Sequence, residues 1–157
     1  QVFGAKTFYY DAFRLSEEME QQLELQYVEY EQLLKESDVI TFHVPLMDST
    51  AHMLNTENIS LLKQNAIVIN TARSGIIDDA ALLEAVKNGH VLGAGLDCTE
   101  ETPISKDNPL LQYPNFIVTP HVGGVTNDIA ESIMPMIVEN LRLIAKQESP
   151  KYVVNNR

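Results

Sequence analysis

The chain has 157 residues, 45% of them hydrophobic, which is one domain's length with enough apolar matter for a core. Eleven Lys plus Arg stand against 22 Asp plus Glu, and the formal charge of -11 repels phosphate backbones and anionic lipid, which excludes nucleic acid and membrane surfaces as partners. A single cysteine, Cys98, excludes an internal disulfide framework, and no apolar run approaches the ~18 residues of a membrane span or forms a secretory h-region, so a cytoplasmic location is expected.

The sequence opens Gln1-Val2-Phe3-Gly4 without a methionine and passes at once into an apolar strand, which suggests a fragment. Lys6 to Tyr10 reads as a strand ending at Asp11, and the acidic run from Ser16 to Glu20 as a solvated helix face. Gln26 to Val28 reads as a short strand, Tyr30 to Lys35 as a short helix, and Val39 to His43 as a strand stopped by Pro45. Helical spacing at Ile59, Leu61 and Leu62 precedes a buried strand, Ala66 to Ile69.

Asp78 or Asp79 can cap a helix carrying Leu82, Leu83 and Val86, which Asn88-Gly89 ends in the left-handed manner. Val91 to Leu96 and Phe116 to Val118 are the remaining strands. Thr126 or Asn127 can start a long last helix to about Lys146, with Pro135 as a kink inside it. Short apolar runs alternating with amphipathic stretches, without repeats or low-complexity linkers, give an α/β fold with a parallel sheet.

Four strands end at polar residues: Asp11, Arg73, Asp97 and His121. In open parallel sheets that edge binds ligands. Each residue alone has a plain structural use: Asp11 as a turn former, Arg73 in a surface ion pair, His121 in a loop. Together they suit one chemistry. The arginine fork holds an α-keto or α-hydroxy carboxylate while the imidazole moves the hydroxyl proton. An acid at Asp11 can accept both ribose hydroxyls of an adenosine and repels a 2′-phosphate, which favours NAD over NADP.

The stretch "LLKQNAIVINTARSGIIDDAALLEAVKNGHVLGAGLD" resembles the signature region of the D-isomer-specific 2-hydroxyacid dehydrogenases. "SDVITFHVPLMDST", "VTPHVGGVT" and the closing "VVNN" agree with it in order along nearly the whole chain. The resemblance implies a Rossmann-like, doubly wound parallel sheet and NAD as cofactor, with no metal. It implies that Asp11 holds the adenosine ribose, and that Thr71, Ala72, Arg73 and Asp97 line the nicotinamide side. His121 with Gly123 and Gly124 would close the site. The catalytic arginine falls on Arg73 and the acid/base histidine on His121.

Two departures from the family pattern stand out. Its third catalytic residue is a glutamate just before the proline in "LDCTEETP", where this chain has Thr102, with Glu101 one position early as the candidate replacement. A carboxylate there would favour the imidazolium form of the histidine. The second departure is that no G-x-G-x-x-G occurs, so the first strand and its Gly-rich phosphate turn are lacking. In the strand order 3-2-1-4-5-6 that strand would lie between Lys6 to Tyr10 and Val39 to His43, leaving a hole at the sheet's centre. A longer parent protein or pairing with a second copy would fill it.

The expected organisation is a partial NAD-binding domain over residues 1–150, with 151–157 as a remnant of the return to a substrate domain. The expected function is hydride transfer between NAD(H) and a small-molecule 2-hydroxy or 2-keto acid in the intact protein, as a homodimer that could exchange its last helix. Two alternatives stand beside it: a non-enzymatic NADH-sensing, corepressor-like binding protein, and a truncated fragment that is inactive by itself.

Overall fold

The computed structural model describes residues 4–126 and 128–153. It divides into two compact units, Gln1–His121 and Val122–Arg157. The first unit carries both sheets. Strand β1 (Thr7–Tyr9) pairs in parallel with β2 (Leu25–Tyr27), with helix α1 (Glu17–Leu23) between them in sequence. Helix α2 (Tyr30–Glu36) leads to a second, four-stranded parallel sheet ordered β3 (Val39–Phe42), β4 (Ala66–Asn70), β5 (Val91–Leu96) and β6 (Phe116–Val118).

The predicted strands lie where the apolar runs put them, each within a residue or so of its expected ends. Helix α3 (Asp79–Lys87) also forms as its sequence dictates: the Asp78 carboxylate accepts from the Ala80 and Ala81 N–H groups at 3.0 Å, and Asn88 and Gly89 close the other end, Gly89 at φ 75°. The Ile59–Leu62 segment is one 3₁₀ turn, shorter than its spacing suggested. In the second unit, helix α4 (Ile129–Ala145) runs unbroken through Pro135. Its start at Ile129 follows Asp128; the expected cap at Asn127 lies outside the described residues.

The core sits on the four-stranded sheet. Leu34, Leu54, Ile76, Ile77, Leu82, Val68 and Val91 are almost wholly removed from water, each worth roughly 1.5–3 kcal/mol on burial. The five-residue β4 alternates fully and partly buried positions, as a central strand covered on both faces must.

The two sheets do not join. The outer edges of β1 and β3 face one cavity of about 1100 Å³, lined by residues 4–11 on one side and 35–44 on the other. This is the hole expected where a first strand would lie. Across it Tyr10, next to β1, packs on Tyr30 of α2 at 5.5 Å between ring centroids, and the Tyr30 hydroxyl donates to the Met53 carbonyl at 2.8 Å. Desolvation pushes the Tyr30 phenol far above its ordinary range.

Candidate functional site at the carboxyl edge of the sheet

The register of the large sheet sets the site. Phe42 lies opposite Asn70, Asn70 opposite Leu96, and Leu96 opposite Val118, so all four strands stop abreast. Arg73, Asp97 and His121 then follow within three residues of those ends. Parallel strands of matched length bring their next residues to one edge, where backbone groups leave the ladder and become available to a ligand.

Asn70 shapes the turn that carries Arg73. It is 2% exposed; its Oδ1 accepts from Ala72 N–H at 3.0 Å and its Nδ2 donates to the Arg73 carbonyl at 2.9 Å. Thr71 is thereby left exposed, Ala72 half-buried, and the Arg73 side chain exposed, its Nη1 donating to the Ala72 carbonyl at 2.6 Å. Sequence reading missed Asn70, although an Asx residue closing a strand into a tight turn is a readable signal.

Asp97 is a buried carboxylate at the end of β5, and its Oδ1 accepts from the Thr119 hydroxyl one residue past β6. His121 is exposed and holds a left-handed backbone at φ 56°, with its N–H donating to the Thr119 carbonyl at 2.9 Å. Thr119 therefore sets both Asp97 and the backbone of His121. Gly123 and Gly124 belong to the second unit, in a turn closed by Val125 N–H on the Val122 carbonyl at 2.9 Å.

Glu101 is engaged elsewhere. Its Oε2 accepts from Asn108 Nδ2 at 2.6 Å, and hydrogen bonds from Asn108 and Ser105 hold its carboxyl below the usual range. Thr102 turns its hydroxyl to the Thr99 carbonyl at 2.8 Å. The neighbouring Glu100 instead meets His52, Oε1 to Nε2 at 2.9 Å, while its N–H donates to Asp79 Oδ2 at 2.8 Å. His52 N–H donates to the Gly75 carbonyl at 2.7 Å, so the loop before β4, the Arg73 turn and the loop after β5 are tied into one frame. The sequence position of His52 alone had said little about this.

At the other sheet, Asp11 is exposed one residue past Tyr10, and its Oδ1 accepts from Phe13 N–H at 2.8 Å in an Asx turn. The reading of Glu20 as a solvated charge is corrected here. It accepts from Arg14 Nε and Nη2 at 2.8 and 2.9 Å and from the Tyr9 hydroxyl at 2.7 Å, and its side chain is only 12% exposed. Those donors pull its carboxyl down to about 2.

Residues 1–123 match the family described as D-isomer specific 2-hydroxyacid dehydrogenase, NAD binding domain. The chain belongs to that family. It is 41% identical over 153 residues to a glyoxylate reductase of Thermococcus litoralis, covering 98% of this chain and 46% of that protein. Among solved structures, the TT0316 protein of Thermus thermophilus superposes with a TM-score of 0.87 at 35% identity, over 98% of this chain and 47% of that one. D-lactate dehydrogenase with NAD+ from Lactobacillus jensenii gives 0.82 at 30% identity, over 99% of this chain and 50% of that one. The chain thus spans about half the length of the relatives it matches.

The fold is the Rossmann-type α/β arrangement of those dehydrogenases, and the family's cofactor is NAD. The groups present are of the kinds a dinucleotide takes. Asp11 offers an exposed carboxylate for a ribose diol, and the Asn70-built turn with Asp97 offers a backbone and an acid for a carboxamide. Among the described residues no group of His, Cys, Asp or Glu is arranged to hold a metal ion, and no helix is long and apolar enough to cross a membrane.

Proposed function

We propose that residues 1–150 form the C-terminal portion of the NAD-binding domain of a D-2-hydroxyacid dehydrogenase, with 151–157 returning toward a substrate domain, and that the intact protein interconverts a 2-hydroxy and a 2-keto acid. The observation that carries this is the abreast ending of β4, β5 and β6, which brings Arg73, Asp97 and His121 to one edge. Arg73 binds the substrate carboxylate through its planar fork and polarises the C2 oxygen. His121 exchanges the proton on that oxygen as general acid and base. Asp97, held by Thr119, orients the nicotinamide end, with Thr71 and Ala72 beside it, and Asp11 takes the adenosine ribose. Bound NAD supplies the hydride acceptor or donor.

Assistance to His121 from Glu101 would compete with the hydrogen bond that Glu101 Oε2 accepts from Asn108. That engagement, with Thr102 in the place of the family's glutamate, favours a second reading: an NADH-sensing binding protein that keeps the fold without turnover. A homodimer is supported by α4, where Met134, Leu141 and Ile144 are each more than half exposed. The isolated chain, which lacks the Gly-rich turn, is proposed to be inactive in the cytoplasm as in vitro.

The deciding experiment is a calorimetric titration of the chain with NADH beside Asp11→Ala. Binding that the substitution weakens supports the dinucleotide site as assigned. Turnover of any 2-keto acid by these 157 residues alone would overturn the inactivity, and a strictly monomeric chain in light scattering at high concentration would overturn the dimer.

A further inference from the structure

The adenosine end carries a cation that is conspicuously occupied. Arg14 lies three residues beyond Asp11, just past the Asx turn that Asp11 makes with Phe13. Of the two, Arg14 lies against Tyr27 of β2. The Arg14 guanidinium sits 5.0 Å from the Tyr27 ring centroid. The Tyr27 phenol is held above its ordinary range by desolvation first and then by the Glu29 charge, with Arg14 pulling it the other way. Asp11 and Arg14 thus flank the Asx turn that follows β1, with the Arg14 guanidinium over Tyr27.

A guanidinium within reach of an adenosine ribose is the group that accepts a 2′-phosphate, through two parallel N–H donors. Here the Nε–Nη2 edge of that guanidinium is spent on Glu20, each nitrogen reaching one carboxylate oxygen and the carboxylate offsetting the cation's charge, while the Tyr9 hydroxyl donates to the same carboxylate from β1. Tyr9 in turn accepts from Leu15 N–H at 2.9 Å, which fixes the chain on the far side of Arg14. The Arg14 side chain remains 56% exposed, so what limits it is its partner and not access.

We infer that Glu20 is a specificity-determining residue: by holding Arg14 it withholds the cation that a 2′-phosphate would need, and with Asp11 it sets the preference for NAD over NADP. The inference rests on Asp11 being the adenosine end of the site. It assigns a positioning role to a residue in an acidic run that composition alone marks as solvated. Asp11 acts by repulsion and Glu20 by sequestration, so the two are separable.

The test titrates the whole 157-residue chain with 5′-AMP and with adenosine 2′,5′-bisphosphate. The wild type should bind 5′-AMP and discriminate against the bisphosphate. Glu20→Gln, which keeps an oxygen for the Tyr9 hydroxyl but removes the charge, should narrow that discrimination by at least about tenfold, and Glu20→Met should do the same. Glu20→Gln with Arg14→Gln should restore it. An unchanged ratio in the Glu20 variants overturns the inference, as does loss of a cooperative melt in both, which would make Glu20 an anchor for α1 and nothing more. Failure of the wild type to bind 5′-AMP, or equal binding by Asp11→Ala, overturns instead the placement of the adenosine site.

Discussion

Asn70 touches no substrate in this scheme, yet it decides the shape of the turn from which Arg73 projects. Replacing it by Ala leaves the Ala72 N–H and the Arg73 carbonyl without their partner beside a buried strand end, at a cost of about 1–3 kcal/mol. Chemical denaturation of Asn70→Ala should show that loss. Asp79 offers a second measurement at this scale. Desolvation, with the Glu100 and Asp78 charges adding to it, lifts its carboxyl from 3.8 to about 6, against the Glu100 N–H that favours the charged form. The folded chain therefore holds a proton that the unfolded chain has released between about pH 4 and about pH 6, and the Asp79 contribution to stability falls as pH rises through that window. Asp79→Asn should accordingly gain more in melting temperature over wild type near pH 7 than near pH 4.

These residue-scale facts divide sharply by legibility. The shared edge of Arg73, Asp97 and His121 was legible in the sequence because each comes within three residues of the end of an apolar strand, and parallel strands of matched length stop abreast. The long-range ties of the surrounding loops were not. His52 meets Glu100 across 48 positions and Asp79 meets Glu100 across 21, and no local propensity encodes such pairs. Glu20 was misread for the same reason: in a run of carboxylates, which one finds an arginine is decided by the fold.

Elements were read more securely than contacts, since a strand covered on both faces must be apolar throughout and a helix must begin with a cap. β5 shows what a strand's sequence also records. Gly93 and Gly95 look alike in "VLGAGL", but a Cβ on Gly93 would stand 2.5 Å from the Asn115 carbonyl oxygen, while one on Gly95 would meet nothing closer than Ile69 Cγ1 at 4.0 Å. That carbonyl cannot retreat freely, because it accepts from Ala94 N–H at 2.9 Å. Gly93→Ala should cost about 1–3 kcal/mol by overpacking, and Gly95→Ala little, in a side-by-side thermal melt. Leu82→Ala, which empties a fully buried site in α3 over the sheet, should cost about 2–5 kcal/mol.

At the scale of the whole molecule, the cavity between β1 and β3 separates a two-stranded layer from the sheet that holds the core. A two-stranded pair without further strands is marginal in water, so its retention falls largely to the tyrosine contacts. Amide hydrogen exchange should find β4 and β5 protected to the global limit, and β1 and β2 released by a smaller opening. Equal protection of both sheets would show that the cavity does not divide the unit energetically.

That arrangement also fixes what light can report. The chain has no tryptophan and six tyrosines, and four of them, Tyr9, Tyr10, Tyr27 and Tyr30, form one ring-to-ring series beside the cavity. Its near-ultraviolet signal is therefore weighted toward one corner of the first unit: filling the cavity, or fraying the small sheet, would change the emission of these four rings, while Tyr113, packed against the core beside Lys87 of α3, reports separately on that core.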